Sequence, residues 1–411
     1  MTLTIRNVEV EGCGGLDVRI EDGRIAAIGP RLPRSGDEID GRGGALIPGL
    51  CDHHIHLFAL AARADSVTLD GVTTRDGLAR RIGEALATRP AGAWVRVLGY
   101  HETMAGELSR ADLDRLAPRH RLRVQHQTGS LWVLNSLALQ SLGEGDDPPD
   151  LERKTGRVWR GDVWLRSRIG AAPPLLAPVG ARLAACGVTA VTDASVTTDA
   201  DAAARLAEAH RMGELPQRLM LMSAGPLAAP ADGAFAVGPV KVLLDDHALI
   251  DLDDFTSRIA AARAQARKVA VHCVTAGELA LSLAAFAAAG AEPGDRIEHG
   301  GVIPPDAIAE LKSLGLAVVT QPAFVRERGD RYARTVPAED LPDLYRCASL
   351  MAAGVPLAAS SDAPYATPDP WAGMAAAADR RTAEGRLLGA GEAVEAAAAL
   401  GLYLDNPAAP R

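Results

Sequence analysis

Three of the chain's ten histidines fall within four residues, in Asp52-His53-His54-Ile55-His56. The apolar approach Ala45-Leu46-Ile47, then Leu50, reads as a buried strand. Side chains alternate faces along a strand, so His54 and His56 project to one side and His53 to the other. Two imidazoles on one strand face can hold one divalent metal ion together. A surface cluster, or three histidines satisfied in a core, is the bland alternative. An Asp-x-His-x-His run behind an apolar strand favours the metal.

More ligand-competent groups sit at the ends of other apolar runs. His272 ends Val269-Ala270-Val271-His272, after the Ala- and Arg-rich stretch Phe255 to Lys268. His299 follows Arg296-Ile297-Glu298, after a second Ala-rich stretch from Leu279 to Ala289. Asp362 follows the run Val355 to Ser361. A lone His or Asp in such a place is more often structural. Together they put one polar group at the C-terminal end of each of several strands in an alternating strand–helix chain. That is where a parallel barrel converges its functional groups.

Lys241 stands out by composition. Of 43 basic residues only four are lysines, and one lies inside the apolar run Gly238 to Leu244. An ammonium is costly there without a partner. Its stem could pack along apolar surface while the charge reaches water or Asp245. Lys, unlike Arg, can also lose its proton when buried. The neutral amine can then take up carbon dioxide as a carbamate, an anionic oxygen ligand able to bridge two metals. The carbamate is the favoured reading.

These residues carry a family resemblance. The chain resembles metal-dependent amidohydrolases of the (β/α)8 superfamily, in particular the YtcJ-like (amidohydrolase-3) branch, from about Leu3 to its end. The motifs are Ile47 to His56, Val240-Lys241, Val271-His272, Ile297-Glu298-His299, Thr320-Gln321-Pro322 and Ser361-Asp362-Ala363-Pro364. The resemblance implies His54, His56 and Asp362 on one metal, His272 and His299 on a second, and a carboxylated Lys241 bridging them. Two zinc ions are expected, with carbon dioxide held as the lysine carbamate. Water between two such ions ionises near pH ~7. Asp362 would take its proton and pass it to the leaving group. The expected reaction is hydrolysis of an amide or cyclic amide C–N bond in a small molecule.

Two segments depart from the branch. Val274-Thr275-Ala276-Gly277-Glu278 stands where a Gly-Asp pair is frequent, and Ser130 stands where His is usual before Asn135-Ser136. A superfamily deaminase would carry Glu three residues after His272, and position 275 is Thr. An esterase is a further alternative. A catalytically silent metal-binding homologue would have lost a ligand, and all six are present.

The wider sequence fits this reading. A chain of 411 residues accommodates a barrel with appended structure, and 48% hydrophobic residues suffice for its core. The net charge of −9 argues against nucleic acid and anionic membrane surfaces as partners. The five scattered cysteines suit a reducing cytoplasm. No basic-then-apolar leader and no membrane-length apolar run is present. Alternating runs Leu3 to Val10 and Leu16 to Ile28 read as hairpins of a small accessory β-sandwich spanning residues 1–47. The barrel is expected over residues 48–385, its strands ending near His56, Asp193, Ser223, Lys241, His272, His299, Gln321 and Asp362. Residues 57–185 are too long for one connection and read as an insertion partly roofing the site. His126, Trp132 and, on the barrel, Gln321 are its expected substrate contacts. His247 and the run Arg326 to Tyr332 lie close enough in sequence to reach the site, although loop charges are the plainer reading. Residues 386–411 are expected to form a helical segment returning toward the small domain. The chain ends where relatives continue into further strands, so the sandwich would be small, open at an edge, or completed by another subunit of a homo-oligomer.

Overall fold

The computed structural model describes residues 1–143, 145–170, 174–246 and 249–404, so His247 lies outside the described residues. The chain divides into two units, Met1–Cys51 and Asp52–Arg411.

In the first unit the accessory strands form one four-stranded sheet. Thr2–Val10 lies between Cys13–Glu21, antiparallel to it, and Asp37–Asp40, parallel to it; Arg24–Gly29 flanks Cys13–Glu21. Asp22 and Gly23 take φ of 48° and 75°, the positive pair that a two-residue hairpin turn requires. Arg6 ties the sheet together, donating to Asp17 at 2.6 Å and to Glu38 at 2.5 Å.

An eight-stranded parallel sheet follows: Leu50–Ile55, Val188–Asp193, Arg218–Ser223, Ala236–Leu243, Val269–Cys273, Arg296–His299, Ala317–Thr320 and Leu357–Ala359, in that spatial order. Backbone bonds bring its two edges together into a barrel. Asp362 N–H donates to His54 O at 2.8 Å, and His56 N–H donates to Ala363 O at 2.9 Å. Helices fill the connections. Their apolar faces, such as Phe255 and Ile259, Leu279, Leu283 and Phe286, and Leu311, pack on Val269, Val271, Ile297 and Val318. The first barrel strand begins at Leu50, not at Ala45 as expected, because Ala45 bridges to Glu9 of the accessory sheet, with Leu46 N–H donating to Glu9 O at 2.8 Å, and Pro48 supplies no ladder donor.

The long first connection holds a structure of its own. The helices Leu57–Ala64 and Ala177–Ala185 pack together, and a six-stranded mixed sheet lies between them in sequence. Its order is Leu151–Glu152, Arg157–Trp159, Leu131–Leu134, Arg121–His126, Trp94–Tyr100, Val67–Thr68. Val95 and Val97 face one apolar cluster with Leu78, Ile82 and Leu122; Leu98 faces the other with Trp132, Leu134 and Leu139. That is the alternation of a sheet covered on both faces. At the other end, the described C-terminal residues pack on the barrel: Ala396–Gly401 lies on Pro370–Asp379, and Ala359 N–H donates to Leu402 O at 2.9 Å. Among the described residues no helix is long and apolar enough to cross a membrane.

Candidate active site

The site begins with a carboxylate that is not a ligand. Asp52 sits two residues before His54 and is fully buried. Its Oδ1 accepts from Ser361 N–H at 3.0 Å and His54 N–H at 3.3 Å, and its Oδ2 accepts from Ser361 O–H at 2.5 Å. Burial raises its carboxyl to about 6, against which the Ser361 bonds pull downward. By clamping the chain beside Asp362, Asp52 sets the distance between the first and eighth strands.

That distance brings three ligand-competent groups together. Asp362 Oδ1 lies 3.1 Å from His56 Nε2 and 3.5 Å from His54 Nε2. Each imidazole is oriented from its far side. His54 Nδ1 bonds Glu298 Oε2, and Glu298 in turn accepts from Arg296 Nε at 2.5 Å. Arg296 also donates to His53 O at 3.0 Å, joining the first and sixth barrel strands. His56 Nδ1 lies 3.1 Å from Ser195 Oγ, just past the second strand. The Glu298 carboxylate, an acceptor only, fixes the His54 proton on Nδ1 and leaves its Nε2 lone pair facing Asp362; the Ser195 hydroxyl holds the His56 ring in place.

His299 and His272 complete the ring of imidazoles. Their centroids are 4.4 Å apart, and His299 lies 4.8 Å from His54. His299 Nδ1 donates to Gln321 Oε1 at 2.9 Å and stands 3.9 Å from Asp362 Oδ2. Burial, then Lys241 for His54 and the neighbouring histidines for His299, holds both well below the ordinary histidine value; burial and Lys241 take His272 down to about 4. All three are therefore neutral at pH 7, the form that coordinates metal. His299 and Asp362 adopt φ of 70° and 52°, left-handed values that cost a non-glycine residue about 1–3 kcal/mol and persist only where the surroundings impose them.

Lys241 is buried, and burial is the main cause that lowers its ammonium pKa. It lies in the field of His54, His272, His299 and Glu298. Its Nζ and Asp362 Oδ1 are both buried with no hydrogen-bond partner among the described residues. Unpartnered buried polar atoms are costly. Here they face the neutral imidazoles of His54 and His299, whose far nitrogens are already bonded, and of His272, so the donor set fits divalent cations.

The other expected site residues fall elsewhere. Gln321 is fully buried, and its amide is taken up by His299, by Ser360 Oγ at 2.9 Å and by Val319 O at 3.3 Å. It orients His299 from behind. Trp132 is a core residue of the insertion, 1% exposed and flanked by the guanidinium groups of Arg96 and Arg123. A large indole reads equally as a ligand wall or a sheet filler, and here it fills the sheet. His126 pairs with Glu102 at 3.1 Å within the insertion. Glu278, the displaced acid, accepts from Val274 N–H at 2.6 Å and Thr275 N–H at 3.0 Å and caps its helix. The run Arg326 to Tyr332 lies in the helix Ala323–Thr335, where Arg328 donates to Tyr365 O at 2.6 Å. Tyr365, half-exposed, stands edge-on to His56 with centroids 5.8 Å apart. Cys273 is buried with its Sγ against Ser282 Oγ and Glu278 O of the following helix, on the opposite strand face from His272, and burial pushes its thiol up to about 12.

A model of the amidohydrolase family matches residues 37–409. The chain belongs to the amidohydrolase family. Among relatives of this amidohydrolase, the N-substituted formamide deformylase of Arthrobacter pascens is 25% identical, over 98% of this chain and 87% of its own. The amidohydrolase YtcJ of Bacillus subtilis is 28% identical over 32% of this chain and 27% of its own. In fold, the chain is similar to an uncharacterized metal-dependent hydrolase from Pyrococcus horikoshii OT3, with a TM-score of 0.78, 19% identity, and coverage of 98% of this chain and 92% of that one. The amidohydrolase is an enzyme acting on C–N bonds, of a metal-dependent superfamily.

Proposed function

We infer that this amidohydrolase hydrolyses the C–N bond of a small amide or cyclic amide. His54, His56 and Asp362 would hold one divalent cation, taken as zinc, and His272 and His299 a second, with Lys241 between them as a carbamate. The observation that carries this reading is the pair of unpartnered buried atoms, Asp362 Oδ1 and Lys241 Nζ, among neutral imidazoles. Bound cations would supply Lewis acidity, polarising the scissile carbonyl and bringing the pKa of water toward ~7.

The chain's own groups do the rest. Asp362 Oδ1 is placed to take a proton from the attacking water and deliver it to the departing nitrogen. Glu298 holds His54, and Gln321 His299, in the tautomer that leaves the Nε2 lone pair inward, and Ser195 orients the His56 ring. Arg296 pairs with Glu298 in a buried place and offsets its charge. Tyr365 stands beside His56, with Arg328 bonded to its carbonyl, and the two would wall the substrate's approach. Glu278 is committed to its helix cap, which speaks against the deaminase alternative.

The relative from Arthrobacter pascens makes N-substituted formamides the first class to assay. A screen of the zinc-supplied protein should compare these with N-acyl amino acids, cyclic amides and esters, reading amine or acid release. Turnover of an amide class, lost on chelation and restored by zinc, is the expected result. Ester-only turnover would overturn the C–N assignment.

A further inference from the structure

The insertion brings together a second set of metal-ligating side chains. The parallel strands Trp94–Tyr100 and Arg121–His126 end side by side, with Tyr100 in register with His126 and Gln127 N–H donating to Tyr100 O at 2.8 Å. His101 follows the first strand directly and His126 closes the second. Their rings therefore meet, centroids 5.6 Å apart and planes inclined by 30°. Glu102 reaches between them: its Oε2 lies 3.1 Å from His126 Nε2 and 3.9 Å from His101 Nε2. One ring nitrogen from each histidine and a carboxylate oxygen fall within 4.8 Å of one another.

Each ring is held from behind by a threonine two residues on. His101 Nδ1 accepts from Thr103 N–H at 3.2 Å and His126 Nδ1 from Thr128 N–H at 3.3 Å, with the hydroxyl oxygens of the same threonines at 2.9 and 2.8 Å. The neutral rings therefore carry their protons on Nε2, toward Glu102; a cation at Nε2 would displace them to Nδ1, where the threonine Oγ1 can accept, and a partner on the far nitrogen is how ligating histidines are oriented. The backbone amide of Glu102, with help from His126, holds its carboxyl below the usual carboxylate range, so it is anionic at neutral pH. The carboxylate is about half-exposed, which leaves an entry path.

We propose that His101, Glu102 and His126 bind a divalent transition-metal ion, zinc foremost, at a site that shares no ligand with the barrel group. Two imidazoles and a carboxylate are a zinc donor set, and three protein ligands leave a fourth position for water or an external ligand. The competing arrangement is a hydrogen-bonded His–Glu–His trio in which both Nε2 atoms carry protons.

Zinc titration of the full-length protein after chelator treatment, with bound zinc counted by equilibrium dialysis, separates the two. His101→Ala/His126→Ala should bind about one equivalent fewer than the parent. His54→Ala/His56→Ala should retain that equivalent, which distinguishes failure here from failure of the barrel reading. Glu102→Gln keeps the shape but not the charge, and should weaken this equivalent by ~10-fold or more. Zinc binding by His101→Ala/His126→Ala equal to the parent in number and affinity would overturn the site. If circular dichroism shows that variant unfolded, Glu102→Gln decides alone: unchanged zinc binding overturns the proposal and weakened binding upholds it.

Discussion

The barrel mouth and the end of the insertion sheet hold the same residue types under different control. At the barrel mouth, His54 is oriented by Glu298 and His56 by Ser195, 244 and 139 positions away in sequence. In the insertion, His101 and His126 are each held by a threonine two positions on. His54 and His299 are buried; the insertion's Glu102 is about half-exposed. Distant partners make a site that only the finished fold can assemble, with neutral imidazoles and buried unpartnered atoms. Local partners make one that forms wherever the two strands pair. The first arrangement suits catalysis, where position and desolvation matter; the second suits binding.

The largest expected contrast is at the first ligands. His54→Ala/His56→Ala should abolish hydrolysis within assay limits, while leaving far-ultraviolet circular dichroism near that of the parent. Retained turnover would move the chemistry off the barrel. Next, Asp362→Asn should keep bound metal and lose ~10²–10⁴-fold in turnover, because the amide cannot carry a proton. Near-normal rates with metal intact would assign the proton transfer to another group. The parent's rate should rise with pH toward a midpoint near ~7.

A smaller effect is expected one bond further out. Glu298→Gln keeps the shape behind His54 but removes the charge that fixes Nδ1–H, and should cost ~10–100-fold in metal affinity at the barrel. The same variant should leave the insertion equivalent untouched. A loss of zinc from both regions would break the contrast drawn between them. Smallest for activity is Trp132→Ala: the cavity left in the insertion core should cost about 3–5 kcal/mol of stability by chemical denaturation, with turnover of the folded enzyme unchanged. A selective rise in KM at full stability would restore Trp132 as a substrate contact.

What sequence made legible follows this local–distant division. The eight barrel strands, the parallel architecture and the strand-end positions of His54, His56, His272, His299 and Asp362 were readable because apolar runs, helical stretches and spacing are local signals. The residues that orient the ligands were not. Asp52 and Glu298 lay inside recognised motifs, yet nothing local says that Asp52 reaches Ser361 or that Glu298 reaches His54. Two charged residues, Arg296 and Glu298, alternating with Ile297 in an otherwise apolar strand, were the available hint of a buried pair facing one side. Gln321 and Trp132 show the converse: a polar or aromatic residue near a ligand in sequence serves the substrate or the scaffold according to partners that only the fold reveals. The insertion was recognised by length alone, since short strands around Gly- and Pro-rich turns leave little periodicity, and its His101–Glu102–His126 grouping depends on two strands ending in register.

Metal analysis of the full-length His101→Ala/His126→Ala protein, purified after growth with added zinc, tests the central claim most directly because it counts the barrel site alone. Between about one and two equivalents of divalent metal should remain bound, since six ligand-competent side chains converge there. That metal should disappear when His54→Ala/His56→Ala is added. Well under half an equivalent in the starting variant would contradict a metal-dependent barrel site.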